Sequence, residues 1–457
     1  MPDSLPALVI GAGISGLACA HALRQSGVDA HVLEALPRAG GIIQSVRQDE
    51  FLLELGPQSF SGTAPLLQLC RDLGIEGQLA EAPPRAPRYI LIDGALRPVP
   101  LSPPAFVSSG FVGAHTKWAI LRDAFGRSAP PAQEESIAAF VRRKFSPELL
   151  EKLVGPFVSG IYAGDPEKLS LRAAFPQLYE AEESAGSVVR GMMRAAKRNR
   201  QSGQQRPALL SFRDGNAALP RALAEKLGSA LHLDAPVSAI RRSSPPEQFL
   251  VSASANGSER TFATQNLVMA TPTDIAATLL ADLSSEFRTP LNAIEYAPVA
   301  VVSLGYRASD VGHSLKGFGF LVPRSSGLQI LGSVWNSSLF PGRAPAGHAL
   351  LTSFVGGATN PAAARLTPEQ LAAIVHRELS PILHLAQPPA FSYATVYERA
   401  IPQYNLGHLA RIKALEATRA NFLGLFFAGN YLRGPAIGAC VEQAQAVAFQ
   451  ILRRLAS

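Results

Sequence analysis

Ala7-Leu8-Val9-Ile10-Gly11-Ala12-Gly13-Ile14-Ser15-Gly16 is the stretch that decides the fold. Its first four residues form a short apolar run of buried-strand type. Leu17 to Leu23 then reads as a helix that ends near Gly27, and Ala30-His31-Val32-Leu33 reads as a second strand stopping at Glu34. The order strand, GxGxxG, helix, strand, acid is that of a dinucleotide-binding βαβ unit. Gly11 permits the tight turn, Gly13 lets a pyrophosphate approach the backbone, and Gly16 lets helix and strand pack closely. The helix start offers free N–H groups and partial positive charge to phosphates. Glu34 lies 18 residues after Gly16, where a carboxylate can accept from ribose hydroxyls.

Outward from this unit, 457 residues are too many for one core and imply two or three domains. Only 17% of residues are charged against 47% hydrophobic, which fits a well-buried protein with some apolar surface to spare. The net charge of +7 comes from scattered basic residues without an aromatic-basic platform, so no nucleic-acid partner is expected. Three cysteines, Cys19, Cys70 and Cys440, form no CxxC pair, and their odd number argues against a disulfide framework. The nine histidines show no metal-ligand spacing, and no metal is expected. The amino terminus lacks a basic leader, and no run reaches the roughly 18 apolar residues that span a bilayer. A cytoplasmic chain without signal or transit peptide is therefore expected.

Further glycine segments narrow the cofactor. Arg38-Ala39-Gly40-Gly41 follows Glu34, and Glu54-Leu55-Gly56-Pro57-Gln58-Ser59 follows a strand pair. Near the other end, Leu425-Phe426-Phe427-Ala428-Gly429-Asn430 reads as a strand with a glycine turn. Pro435-Ala436-Ile437-Gly438-Ala439 then opens a helix. With these segments the chain resembles the GR2-type flavin oxidoreductases, which include monoamine oxidases, phytoene desaturases and protoporphyrinogen oxidases. The resemblance implies non-covalent FAD. Its contacts would come from Gly11, Ala12, Gly13, Ile14, Ser15, Gly16, Glu34, Ala35, Gly40, Gly41 and Ile42. Gly56, Pro57, Gln58, Ser59, Val237, Gly429, Asn430, Ala436, Ile437 and Gly438 would complete them. The dipole of the last helix would favour negative charge on reduced flavin.

The implied architecture is α/β. A discontinuous Rossmann-like FAD domain (1–85, 207–275, 405–457) carries an α+β substrate domain (86–100, 276–404) and a helical insertion (101–206). No internal repeat is present. Ser159-Gly160-Ile161-Tyr162-Ala163-Gly164-Asp165-Pro166 and Ile401-Pro402-Gln403-Tyr404-Asn405-Leu406-Gly407-His408 closely resemble signatures of oxygen-dependent protoporphyrinogen oxidases. Gly317-Phe318-Gly319-Phe320-Leu321-Val322-Pro323 agrees with them. That resemblance implies an enzyme of haem or chlorophyll synthesis. It would oxidise protoporphyrinogen IX to protoporphyrin IX in successive two-electron steps, passing a meso hydride to flavin N5. Dioxygen would be the final acceptor, consistent with the lack of a second glycine fingerprint for a nicotinamide cofactor. Arg88 aligns with a propionate-binding arginine, Leu321 and Phe354 with residues that sandwich a pyrrole, and Gly160 and Val334 with the cavity wall. No side chain stands out as an acid or base; His408 reads as a structural hydrogen-bonding residue.

Two departures stand out. Arg213-Asp214-Gly215-Asn216 replaces a usual glycine pair, and Ile42-Ile43-Gln44 replaces a common basic residue. The family attaches peripherally to membranes, so the inner face of the cell membrane is an expected location. Ala105, Phe106, Val107, Phe111 and Val112 would enter the anionic interface, with Lys117 and Arg122 at the headgroups. The basic segment 190–206 reads as a solvated helix face, with lipid attraction as the alternative. A ferrochelatase and a second copy of the chain are further candidate partners. Competing readings are a coproporphyrinogen oxidase, an amine oxidase or carotenoid desaturase, and a non-catalytic binding protein on the same fold.

Overall fold

In the computed structural model, residues 3–100, 106, 108–201, 207–243, 248–255 and 257–456 are described. Strand Ala7–Ile10 is buried on both sides because each of its residues meets a core. Ala7 and Val9 face one cluster, Leu8 and Ile10 the other. It lies in the middle of a five-stranded parallel sheet, in the order Leu231–His232, Ala30–Leu33, Ala7–Ile10, Leu267–Met269, Leu425–Phe427. Parallel strands covered on both faces read as unbroken apolar runs, as these do. Helix Ile14–Gln25 packs on one face beside helix Ile437–Ala456 through Leu17, Leu23, Val441 and Ala448. A four-stranded sheet containing Gln248–Ala255 and Ser258–Thr264 covers the other face through Phe249, Val251 and Phe262.

A seven-stranded mixed sheet forms the second layer system. Its order is Phe391–Pro402, Tyr296–Arg307, His348–Gly356, Ile330–Val334, Gly319–Leu321, Arg88–Ile92, Ala95–Pro98. Side chains alternate across it. Ala300, Val302, Leu304 and Val355 meet Leu371, Val375, Leu379 and Leu383 of helix Pro368–Leu383. That helix starts at a capping box, with Thr367 and Gln370 satisfying each other's backbone N–H. Ile90, Ile92 and Leu321 point the opposite way, into the core of the helical insertion.

The insertion is tied together by charge as well as packing. Lys144, only 7% exposed, lies 2.5 Å from Asp123 and 3.2 Å from Glu182. Burial pushes the Glu182 carboxyl up, but hydrogen bonds from Arg143 and Ser128 and the charges of Arg143 and Lys144 outweigh it and hold it at about 2. Ser136 caps helix Ile137–Lys144 by accepting from the Ala139 N–H at 3.1 Å.

The structure corrects the expected membrane-facing residues. Phe111 and Val112 are 6% and 3% exposed and pack against Ile137, Phe140 and Val141. Phe106 leans on the same cluster, its ring 6.0 Å from that of Phe111. Lys117 donates to the Ser109 carbonyl at 2.7 Å. Ala105, Val107 and Arg206 lie outside the described residues. Residues such as Phe111 and Val112 look the same in the sequence whether they fill a local core or face lipid, and here these two fill the core. Trp118, Leu121 and Phe125 of helix Ala114–Phe125 are exposed instead, Phe125 at 85%. Their spacing puts them on one helix face. Among the described residues no helix is long and apolar enough to cross a membrane.

Candidate active site

The first glycine turn sits between two strand ends. A Cβ at Gly11 would come within 2.7 Å of the Ala270 carbonyl oxygen, and one at Gly16 within 1.9 Å of the Gly11 carbonyl oxygen. A Cβ at Gly13 would meet nothing within 4 Å, so the turn is packed behind and open in front. Helix Ile14–Gln25 has no side-chain cap and no acid in its first turn, which leaves its Ile14 and Ser15 end free for an anion. Glu34 ends the second strand with one oxygen accepting from the Ala12 N–H at 2.6 Å and the other from the Leu36 N–H at 3.0 Å. Ala35 is exposed beside it.

The remaining cofactor candidates gather at this turn. Gly40 donates to the Ala12 carbonyl at 2.8 Å, and Gly41 packs against Gly13. Gly56 abuts the Ile42 carbonyl, where a Cβ would come within 2.1 Å. Val237 stands at the strand end beside Ala235, whose N–H donates to the Glu34 carbonyl at 2.8 Å. Gly429 and Asn430 follow strand Leu425–Phe427, and Ala436, Ile437 and Gly438 lead into helix Ile437–Ala456. Gly438 faces Thr63, and Thr271 lies beside Gly11. The Thr63 and Thr271 hydroxyls are buried without a partner among the described residues. An open glycine turn, an uncapped helix start, a ribose-height carboxylate and two idle hydroxyls fit a flavin dinucleotide.

Pro57, Gln58 and Ser59 are braced from behind. Gln58 donates to the Glu54 and Gly56 carbonyls, both at 2.9 Å, and accepts from Asn336 at 2.6 Å. Asn216 donates to the Pro57 carbonyl at 2.7 Å. The unusual segment 213–216 turns through Gly215 at φ +89° and places the Asn216 N–H 2.9 Å from Glu54. Glu54 and Arg343 form a buried ion pair at 2.8 Å. Nothing in the sequence signalled Arg343, because Pro341-Gly342-Arg343-Ala344-Pro345 reads as a surface turn.

The five substrate candidates share the insertion-side face of the seven-stranded sheet. Gly319 pairs with both Arg88 and Val334, and Gly332 pairs with both Leu321 and Phe354. Gly160, on helix Gly155–Tyr162, packs against Leu321, where a Cβ would lie 2.7 Å from Cδ2. Leu321, Val334 and Phe354 are only half-buried. Arg88 is exposed, with its guanidinium 5.2 Å from the centre of the Phe318 ring. The sequence reading missed Tyr397 on this same face. It packs with Phe354 and Ala163, and its hydroxyl lies 3.5 Å from Gln44 Nε2 beside Gly41. Burial raises the Tyr397 pKa, opposed by the charge of Arg38. His408 is fully buried, and burial lowers its pKa to about 4, so it stays neutral.

With this geometry in place, comparison with known proteins identifies the family. The model for flavin containing amine oxidoreductases matches residues 14–452. The chloroplastic protoporphyrinogen oxidase of Nicotiana tabacum is 37% identical, with 98% of this chain and 85% of that protein aligned. The coproporphyrinogen III oxidase of Bacillus subtilis (strain 168) is 30% identical over 98% of each chain. A crystal structure from Exiguobacterium sp. 255-15, provisionally named a protoporphyrinogen oxidase, superposes with a TM-score of 0.81 at 25% identity and covers 99% of both chains. The chain therefore belongs to the flavin containing amine oxidoreductase family and is an FAD-dependent oxidoreductase similar to the protoporphyrinogen oxidases.

Proposed function

We propose that this enzyme oxidises protoporphyrinogen IX to protoporphyrin IX in tetrapyrrole synthesis, with dioxygen as terminal acceptor. The observation that carries the reading is the wall of Leu321, Val334 and Phe354 with Arg88 at its edge. A porphyrinogen is an apolar macrocycle with carboxylate side chains, and this wall offers both kinds of contact. FAD, when bound, supplies the two-electron acceptor for a meso carbon. Arg88 pairs with a propionate and fixes the ring's orientation, since a guanidinium can grip a carboxylate with two parallel bonds. Leu321 and Phe354 hold a pyrrole between them, and the absence of a side chain at Gly160 leaves room for Leu321 to take its place in the wall. The Tyr397 phenol stays protonated and offers a neutral hydrogen-bonding group rather than a base.

The test is anaerobic mixing with protoporphyrinogen while following the flavin band; no bleaching would reject the reading. Arg88→Ala should raise KM by roughly 10- to 100-fold, the worth of a charged hydrogen bond, with little change in kcat. A fall in kcat alone would remove Arg88 from propionate binding. The Bacillus relative makes coproporphyrinogen the second substrate to try. It carries more carboxylates and should want more cations than Arg88, and relative rates on the two porphyrinogens decide.

The same proposal includes peripheral attachment to an anionic membrane from the cytoplasmic side. Trp118, Leu121 and Phe125 supply an apolar stripe, and Met192 and Met193 a second exposed patch beside Arg194 and Lys197. Arg190 is not available to lipid, because it donates to the Ala124 and Gly126 carbonyls, both at 2.6 Å. Such a surface suits an interfacial site with basic residues at the headgroups. Trp118→Asp with Phe125→Asp should lower co-sedimentation with phosphatidylserine vesicles while flavin content is kept. Unaltered sedimentation would sink this placement.

A further inference from the structure

The two most distinctive stretches of the sequence, 159–166 and 401–408, touch each other and the cofactor turn. Gln403 Nε2 donates to the Tyr162 carbonyl at 2.8 Å. Ser170 donates to the Tyr404 carbonyl and Leu406 to the Lys168 carbonyl, both at 2.8 Å. The Tyr162 and Tyr404 rings lie 5.6 Å apart. On its far side Tyr404 stacks on His408, with centroids at 4.2 Å and planes 8° apart. Its hydroxyl reaches across to donate to the Asn430 carbonyl at 2.6 Å.

We propose that Tyr404 is a positioning residue that ties the substrate-side helix ending at Tyr162 to the glycine turn at Asn430. It thereby fixes the Gly160 wall against the cofactor. The inference rests on the reading that residues 429–438 face FAD. Packing alone would be served by phenylalanine at position 404. A phenol that is 1% exposed needs a partner, and here the partner belongs to the cofactor turn rather than to its own strand. His408, with no exposed surface, prevents the ring from swinging away. Helix Gly155–Tyr162 cannot drift independently, because Ala163 ends it at φ +46° and its carbonyl accepts from the Ala358 N–H at 2.7 Å.

Tyr404→Phe removes the Asn430 bond and keeps both ring contacts. Release of FAD from the whole-chain holoenzyme on dilution, read by flavin fluorescence, should show a dissociation constant raised roughly three- to tenfold, as loss of one hydrogen bond gives. The visible flavin band should shift, and kcat should fall with KM for protoporphyrinogen unchanged. Tyr306→Phe is the control. It loses a comparable contact, 3.1 Å to His376, on the far face of the substrate sheet, and should leave FAD release and the band alone. If Tyr404→Phe does not fold, His408→Gln, which frees the Tyr404 ring, should raise the constant in the same direction. An unchanged constant and band in Tyr404→Phe, or equal changes in Tyr306→Phe, would overturn the proposal. A wild-type protein that takes up no FAD would instead overturn the cofactor reading beneath it.

Discussion

Arg343→Ala should lower stability by about 3–5 kcal/mol, the usual cost of stranding one partner of a buried ion pair. Arg343 and Glu54 are each 1% exposed at the side chain and lie 2.8 Å apart. Arg343 also donates to Ser211 and the Phe212 carbonyl, while Glu54 accepts from Ser45 and the Asn216 N–H. Burial pushes the Glu54 carboxyl up and the Arg343 guanidinium down, and each charge opposes the other's shift. Without the arginine, only burial and neutral donors act on Glu54, and its pKa rises further. A raised folded pKa favours the folded state below the unfolded value and loses that benefit as pH rises through the folded one. The deficit of the variant should therefore shrink as pH falls towards about 4.3, the unfolded glutamate value. Denaturant unfolding at neutral and mildly acid pH measures both effects. Arg343→Met with Glu54→Leu should recover much of the loss. A loss under about 1 kcal/mol in the single variant would show that this pair does not hold the turn at Arg343 against Glu54.

Gly16→Ala should give a protein that purifies with little or no flavin. The added methyl would lie 1.9 Å from the Gly11 carbonyl oxygen, and a backbone atom cannot rotate aside. The turn must open, at a cost of about 1–3 kcal/mol or more for an overpacked site. FAD binding should weaken by about tenfold or more, since each 1.4 kcal/mol is a factor of ten. Gly13→Ala makes the contrast. Its methyl meets nothing within 4 Å, so unfolding should stay within about 0.5 kcal/mol of wild type. It still intrudes on the face offered to the pyrophosphate, so FAD should be lost from a stable protein. Comparable flavin content in both variants and wild type would show that the phosphates lie elsewhere.

What could be read from the sequence was local. Strand Ala7–Ile10, the glycine turn and Glu34 lie within one short unit whose spacing carries its own geometry. Arg343 and Glu54 are 289 positions apart, and no periodicity links them. Tyr397 was missed because strand Phe391–Pro402 exposes polar and apolar side chains without clean alternation. Phe111 and Val112 were placed at the membrane because composition does not say which neighbour covers an apolar residue. The helix carrying Trp118 and Phe125 shows its uncovered face only once its packed face, Thr116, Ala119 and Asp123, is known.

The parallel sheet also sets a timetable for synthesis. Strand Ala7–Ile10 pairs with Leu267–Met269, which pairs with Leu425–Phe427. At roughly 5–20 residues per second, a ribosome delivers the last strand about 20–80 s after the first. Until then the nascent βαβ unit has an open, greasy edge and lacks the helix that covers its face. The sheet is complete only once the closing strand Leu425–Phe427 has emerged.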